Sequence, residues 1–186
     1  MFDTPITAGD PFDEDRTQQI VEDMHRDGYV HIPDVLNLDE VAALQETTDR
    51  LMDDPEIFAA ETPELHEGRY VQMHMGKEIQ TPFILRNTLA LDPIFPAMLM
   101  REPFVSLAEA LVGSNCRFCG QNVLRNQPNV AIERWHVDGA LHFPVPDEVD
   151  RYAPGIRPPI LWFTIQIALT DIDIIEHGPT QYVPGS

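Results

Sequence analysis

The stretch Gly113-Ser114-Asn115-Cys116-Arg117-Phe118-Cys119-Gly120-Gln121-Asn122-Val123-Leu124 marks where this chain changes character, and its reading decides the fold. Upstream of Gly113, apolar residues recur at spacings of three and four, the period of a helix with one buried face. Downstream, they form short blocks separated by prolines and turn residues, the pattern of strands.

Working upstream, a helix is expected from about Pro103 to Val112, with Pro103 at its start and Gly113 as its stop. The best-signed helix begins after Asn37. An asparagine at that position accepts from the first free N–H groups, and Glu40 three residues on completes a near capping box. Val41, Leu44, Thr48 and Leu51 then form one stripe. A first helix runs from Asp13 to His25, burying Ile20, Val21 and Met24, and Asp27-Gly28 ends it. Residues 1–12, polar and punctuated by proline and glycine, read as a mobile lead-in to a single domain spanning 13–186. Short strands are expected at Tyr29–Ile32 and at Arg69–Met73.

Working downstream, strands are expected over Arg117–Leu124, Ile132–Val137, Ile160–Leu169 and Gln181–Val183. Between the second and third lies Ala140 to Pro159, with prolines at 144, 146, 154, 158 and 159. A connection of this length without periodicity is commonly functional, and a lid or substrate-facing loop is the expectation. Helices first and antiparallel strands later give an α+β class, with the strands in a sandwich or jelly roll.

Composition narrows the function classes. The 186 residues are enough for one domain with a core, and 43% are hydrophobic. With 31 acidic against 12 basic residues, the net charge of −19 argues against a nucleic-acid or anionic-membrane partner, because phosphate contacts need clustered Lys and Arg. No signal peptide or apolar run of spanning length is visible, so a cytoplasmic protein is the default expectation. Cys116 and Cys119 have CxxC spacing. On a strand they would point to opposite faces, and no second pair of soft ligands accompanies them, so they read as ordinary thiols.

The residues with chemical promise are Trp135-His136-Val137-Asp138-Gly139. On a strand, His136 and Asp138 leave the same face, separated by roughly 6.6 Å of rise. A neutral nitrogen and an anionic oxygen so placed can share a divalent metal. With one more histidine they would make the facial triad of non-haem Fe(II) oxygenases, which leaves positions open for cosubstrate and oxygen. The bland alternative is a strand-end histidine hydrogen-bonded to a carboxylate. Trp135 is expected to pack beside the site.

Order along the chain adds weight. A helix ends in Asp27-Gly28-Tyr29-Val30-His31-Ile32-Pro33-Asp34-Val35-Leu36, and the His-x-Asp pentad follows. Then come the proline-rich stretch, a strand ending Ala168-Leu169-Thr170-Asp171-Ile172-Asp173, and His177-Gly178-Pro179-Thr180-Gln181-Tyr182-Val183-Pro184-Gly185-Ser186. This arrangement resembles the phytanoyl-CoA dioxygenase family of Fe(II)- and 2-oxoglutarate-dependent oxygenases, over nearly all of residues 16 to 186. The resemblance implies a double-stranded β-helix, or jelly roll, behind a helical amino-terminal layer. It implies His136 and Asp138 as iron ligands, 2-oxoglutarate as cosubstrate, and O2 and a small organic molecule as the reactants. It also implies a later histidine as third ligand and an arginine for the distal carboxylate of 2-oxoglutarate. No residue up to Ser186 matches either, so the chain is expected to be an amino-terminal portion of such an oxygenase with an incomplete jelly roll.

His177, in a turn, is expected to stay at the surface, and His142 to face substrate from the proline-rich loop. His25, His31, His66 and His74 precede the β region and are expected to be structural or exposed. Gln121 and Asn126 are the nearest matches to the family's polar 2-oxoglutarate contacts. Gln166, polar within an apolar strand, is either a further pocket residue or a solvent-facing position. Two competing readings are a non-catalytic β-sandwich binding module or inactive fragment, and the same pocket holding Zn(II).

Overall fold

A computed structural model of the chain describes residues 4–57, 64–66, 69–74, 76–80, 82–126, 135 and 159–185. Local signals place the helices. Helix α1 (Glu14–Asp27) starts where the Asp13 side chain accepts from the Arg16 N–H at 2.7 Å. It stops at Gly28, whose φ of 80° lets its N–H turn back to the Met24 carbonyl. Helix α2 (Leu38–Met52) carries the full capping box: Glu40 N–H donates to Asn37 Oδ1, and Asn37 N–H donates to Glu40 Oε2, each at 2.9 Å. Its expected stripe faces inward, with Leu44, Thr48 and Leu51 buried and Val41 half-buried. Further helices include α3 (Ile94–Leu99) and α4 (Phe104–Val112), the latter beginning directly after Pro103 and ending at Gly113 as its spacing predicts.

Among the described residues, the strands make two small antiparallel sheets. In the first, β2 (Arg69–His74), close to its expected position, lies between β1 (Glu64–His66) and β3 (Lys77–Gln80). In the second, β4 (Phe83–Leu85) pairs with β5 (Val123–Arg125) in the register Phe83↔Arg125, Ile84↔Leu124, Leu85↔Val123. This pairing joins the helical half of the chain to the segment after Gly113.

The core forms where α2, β4 and α3 meet, from Leu44, Leu51, Met52, Phe83, Leu85, Ile94, Phe95 and Met98, with Val123 and Leu169 packed on its edge. Burying each of the larger apolar side chains contributes roughly 1.5–3 kcal/mol, which makes this cluster the main stabilising feature of the described residues. Helix α1 packs on α4, and Ile20 and Leu107 are the apolar residues these helices bury fully.

The mixed helix and small-sheet architecture is α+β. The strand expectations need correction. Of Arg117–Leu124 only the end enters a ladder, as Val123–Arg125, and Tyr29–Ile32, Ile160–Leu169 and Gln181–Val183 pair with no strand among the described residues. The physical reason is that apolar content favours an extended chain but a strand exists only where a neighbour supplies hydrogen bonds. Leu161, Trp162, Ile165 and Ile167 are accordingly exposed. A jelly roll is not seen among the described residues. Ile132–Val137, apart from Trp135, and most of the proline-rich connection lie outside them.

Residues 4–10 are tied to the helices. Thr7 donates to Glu40 from both its N–H and its hydroxyl, at 2.9 and 2.6 Å, and the Glu102 N–H donates to the Ala8 carbonyl at 2.8 Å. No described helix is long and apolar enough to cross a membrane.

Candidate functional site

The β4–β5 ladder positions the first of the expected site residues. Gln121 precedes β5 by two residues and is half-buried. It meets Thr88, which is fully buried in a 3-10 turn (Thr88–Ala90) after β4. The Thr88 hydroxyl lies 3.1 Å from Gln121 Oε1 and 3.3 Å from the Gln121 carbonyl oxygen, and is placed to donate to either. Thr88 carried no motif or periodic signal in the sequence, because its role depends on the pairing of two strands that lie far apart along the chain.

Asn126 follows β5 directly and is exposed. A Cβ built on Gly178 would lie 3.8 Å from Asn126 Nδ2, so the end of β5 and the His177-Gly178 turn are neighbours. Gln121 and Asn126 therefore face different surroundings and are not brought together. Gln166 is exposed, and its Oε1 accepts from the Tyr182 hydroxyl at 3.1 Å. The Tyr182 ring stacks on Tyr29 with centroids 4.9 Å apart and planes 9° from parallel. Gly185 N–H donates to the Asp27 carbonyl at 3.0 Å. The two ends of the recognisable pattern, Asp27-Gly28-Tyr29 and Tyr182-Val183-Pro184-Gly185, thus touch one another directly.

The histidines separate clearly. His177 closes a 3-10 turn (Ile175–His177), and its Nδ1 lies 2.9 Å from Asp173 Oδ1 at the surface. His31 is exposed and His25 half-buried in the last turn of α1. His66 and His74 lie on β1 and β2. His136, Asp138 and His142 lie outside the described residues, while Trp135 is described and is 66% exposed. Among the described residues, no group of three or more His, Cys, Asp and Glu is placed to hold a metal. Cys116 and Cys119 are free thiols, half-buried and exposed respectively, in an irregular stretch rather than the strand expected for them.

The strongest electrostatic feature is one that the capping pattern revealed only in part. Glu40 is fully buried and binds Arg101 in a two-point contact, Arg101 Nε to Oε1 at 3.0 Å and Nη2 to Oε2 at 3.1 Å. Burial pushes the Glu40 carboxyl up, but the hydrogen bonds from Arg101, Thr7 and Asn37 outweigh it and hold it down at about 2. Both carboxylate oxygens are taken up by these partners, so the role of the cluster is structural. A groove of about 430 Å³ opens between residues 4–5, α2 and α3, where Arg50 pairs with Asp92 at 2.7 Å. None of the expected site residues lines it.

Comparison with known proteins bears on what the site is. A family model described as phytanoyl-CoA dioxygenase (PhyH) matches residues 24–186. No curated protein and no solved structure matches the chain. The match takes in Tyr29, Gln121, His136, Asp138, Gln166 and Tyr182 in one continuous span, and the chain belongs to the phytanoyl-CoA dioxygenase family.

Proposed function

We propose that this chain belongs to an Fe(II)- and 2-oxoglutarate-dependent dioxygenase that hydroxylates a small organic molecule, with His136 and Asp138 as two of the iron ligands. The observation that carries the reading is the family match over residues 24–186, with the His-x-Asp pair inside it. The donor set also fits. One imidazole and one carboxylate are the ligand types that non-haem Fe(II) takes while leaving positions open. On this reading residues 13–186 act as one oxygenase-like domain, and the strands after Gly113 belong to a jelly roll.

Iron and 2-oxoglutarate, when bound, would supply the oxidising chemistry with O2 as the oxidant: one oxygen atom would enter the succinate formed with carbon dioxide from the cosubstrate, and the other would enter a C–H bond of the substrate. The chain's own residues have narrower tasks. His136 offers one ring nitrogen to the metal, and its other ring N–H needs an acceptor that fixes the tautomer. Asp138 offsets part of the metal's positive charge. Gln121 is the neutral polar side chain proposed to contact the cosubstrate, since Asn126 and Gln166 lie in other surroundings. An amide can donate to a carboxylate without adding charge.

The test uses the full-length protein. Purified protein should retain iron and convert 2-oxoglutarate to succinate. His136→Ala and Asp138→Ala should each abolish both. Unchanged turnover in either variant would sink the ligand assignment, and zinc in place of iron on metal analysis would redirect the reading to a different chemistry.

A further inference from the structure

We propose that Thr88 is a positioning residue, whose buried hydroxyl holds the Gln121 amide so that Nε2 faces outward as a donor to a carboxylate of the cosubstrate. The inference rests on the oxygenase reading above and adds to it a residue from the helical half of the chain. Its geometry follows from the β4–β5 register. Followed past Leu85↔Val123, the same register sets Gln121 opposite Asn87, beside Thr88. Asn87 adopts the left-handed conformation at φ 53°, which ends the strand and starts the Thr88–Ala90 turn.

There Thr88 has no exposed surface, and its hydroxyl faces two oxygens of a single residue, Gln121 Oε1 at 3.1 Å and the Gln121 carbonyl at 3.3 Å. A contact to both ends of one residue fixes the side chain relative to its own backbone. With Oε1 engaged, the two N–H donors of Nε2 have no partner among the described residues. Gln121 is half-buried, so its side chain keeps accessible surface. A fixed neutral amide presenting two donors suits a carboxylate oxygen, and it does so without the desolvation cost of a buried cation. In a chain of net charge −19, such local donors are what an anionic cosubstrate requires.

The experiment is a titration of 2-oxoglutarate into ¹⁵N-labelled full-length protein, read at the side-chain amide pair of Gln121, assigned by its disappearance in Gln121→Glu. That pair should shift as 2-oxoglutarate binds. Thr88→Val keeps the shape and loses the hydroxyl. It should weaken binding by up to about tenfold, the scale of one neutral hydrogen bond. Thr88→Ser should restore it. Gln121→Glu, which sets carboxylate against carboxylate with Thr88 intact, should weaken binding at least as much and guards against a Thr88→Val protein that fails to fold. Binding by Thr88→Val equal to the parent's, or amide signals that stay still at saturating 2-oxoglutarate, would overturn the proposal. The oxygenase reading fails separately, by iron retention and turnover that survive His136→Ala.

Discussion

Arg101→Met should be among the most destabilising single changes in the described residues, and Glu40 explains why. The substitution keeps most of the side-chain volume but leaves a fully buried carboxylate facing only Thr7 and Asn37. Removing one member of a buried ion pair typically costs about 3–5 kcal/mol. The carboxyl itself gives a second route to the magnitude. It is held at about 2 against an ordinary 4.5, a displacement of about 2.5 on the pH scale, which corresponds to roughly 3 kcal/mol. The sign follows from a folded value below the unfolded one. This contribution is complete above about pH 4.5 and is lost as the pH falls towards 2.

Urea unfolding followed by far-UV circular dichroism, at steps from pH 6 to 2.5, measures it. Against Glu40→Gln, which cannot titrate, the parent's advantage should shrink by most of about 3 kcal/mol over that range. Parallel stability curves for the two proteins would refute the reasoning. The pair also differs from a simple ion pair that apolar residues can replace. Glu40 accepts from the backbone N–H groups of Thr7 and Asn37, so Glu40→Leu with Arg101→Met still leaves two donors unsatisfied. The double variant should stay at least about 2 kcal/mol below the parent, from the usual cost of an orphaned buried donor.

Other substitutions test packing and backbone conformation elsewhere in the described residues. Gly9→Ala would drive a Cβ into the Glu102 carbonyl oxygen, well inside contact distance, from a backbone already at φ 66°. It should cost about 2–4 kcal/mol. Gly76 sits at φ 76° with nothing within 4 Å of an added Cβ. Gly76→Ala should therefore cost only about 1 kcal/mol, and equal losses for the two variants in thermal unfolding would contradict the steric argument. For the stacked Tyr29 and Tyr182 rings, a double-mutant cycle to leucine should give a coupling of about 1 kcal/mol. A coupling near zero would mean that the two ends of the family pattern meet without energetic consequence.

How much of this was legible beforehand depended on the range of the interaction that decides it. The helix ends were readable because caps act within four residues. Asn37 and Glu40 satisfy each other's backbone, and Gly28 can adopt the conformation that closes α1. The strands were not readable in the same way. Ile160–Leu169 has the composition of a core strand yet pairs with no strand among the described residues, while the short Phe83–Leu85 did not stand out and became the partner of Val123–Arg125. The candidate site divides along the same line. His136 and Asp138 were proposed from their spacing together with the order of the motifs around them, whereas Thr88 emerged only when the β4–β5 register set it against Gln121.

Residues close in sequence thus determined α1, α2 and α4, the α+β class and the His-x-Asp pair, since capping, helical period and ligand spacing are local properties. Tertiary structure alone decided that the capping glutamate would also meet Arg101, 61 residues away, and that Tyr29 would stack on Tyr182. The physical reason is that a buried charge or an extended strand is stable only with a partner, and no local pattern names a partner that arrives from the far end of the chain.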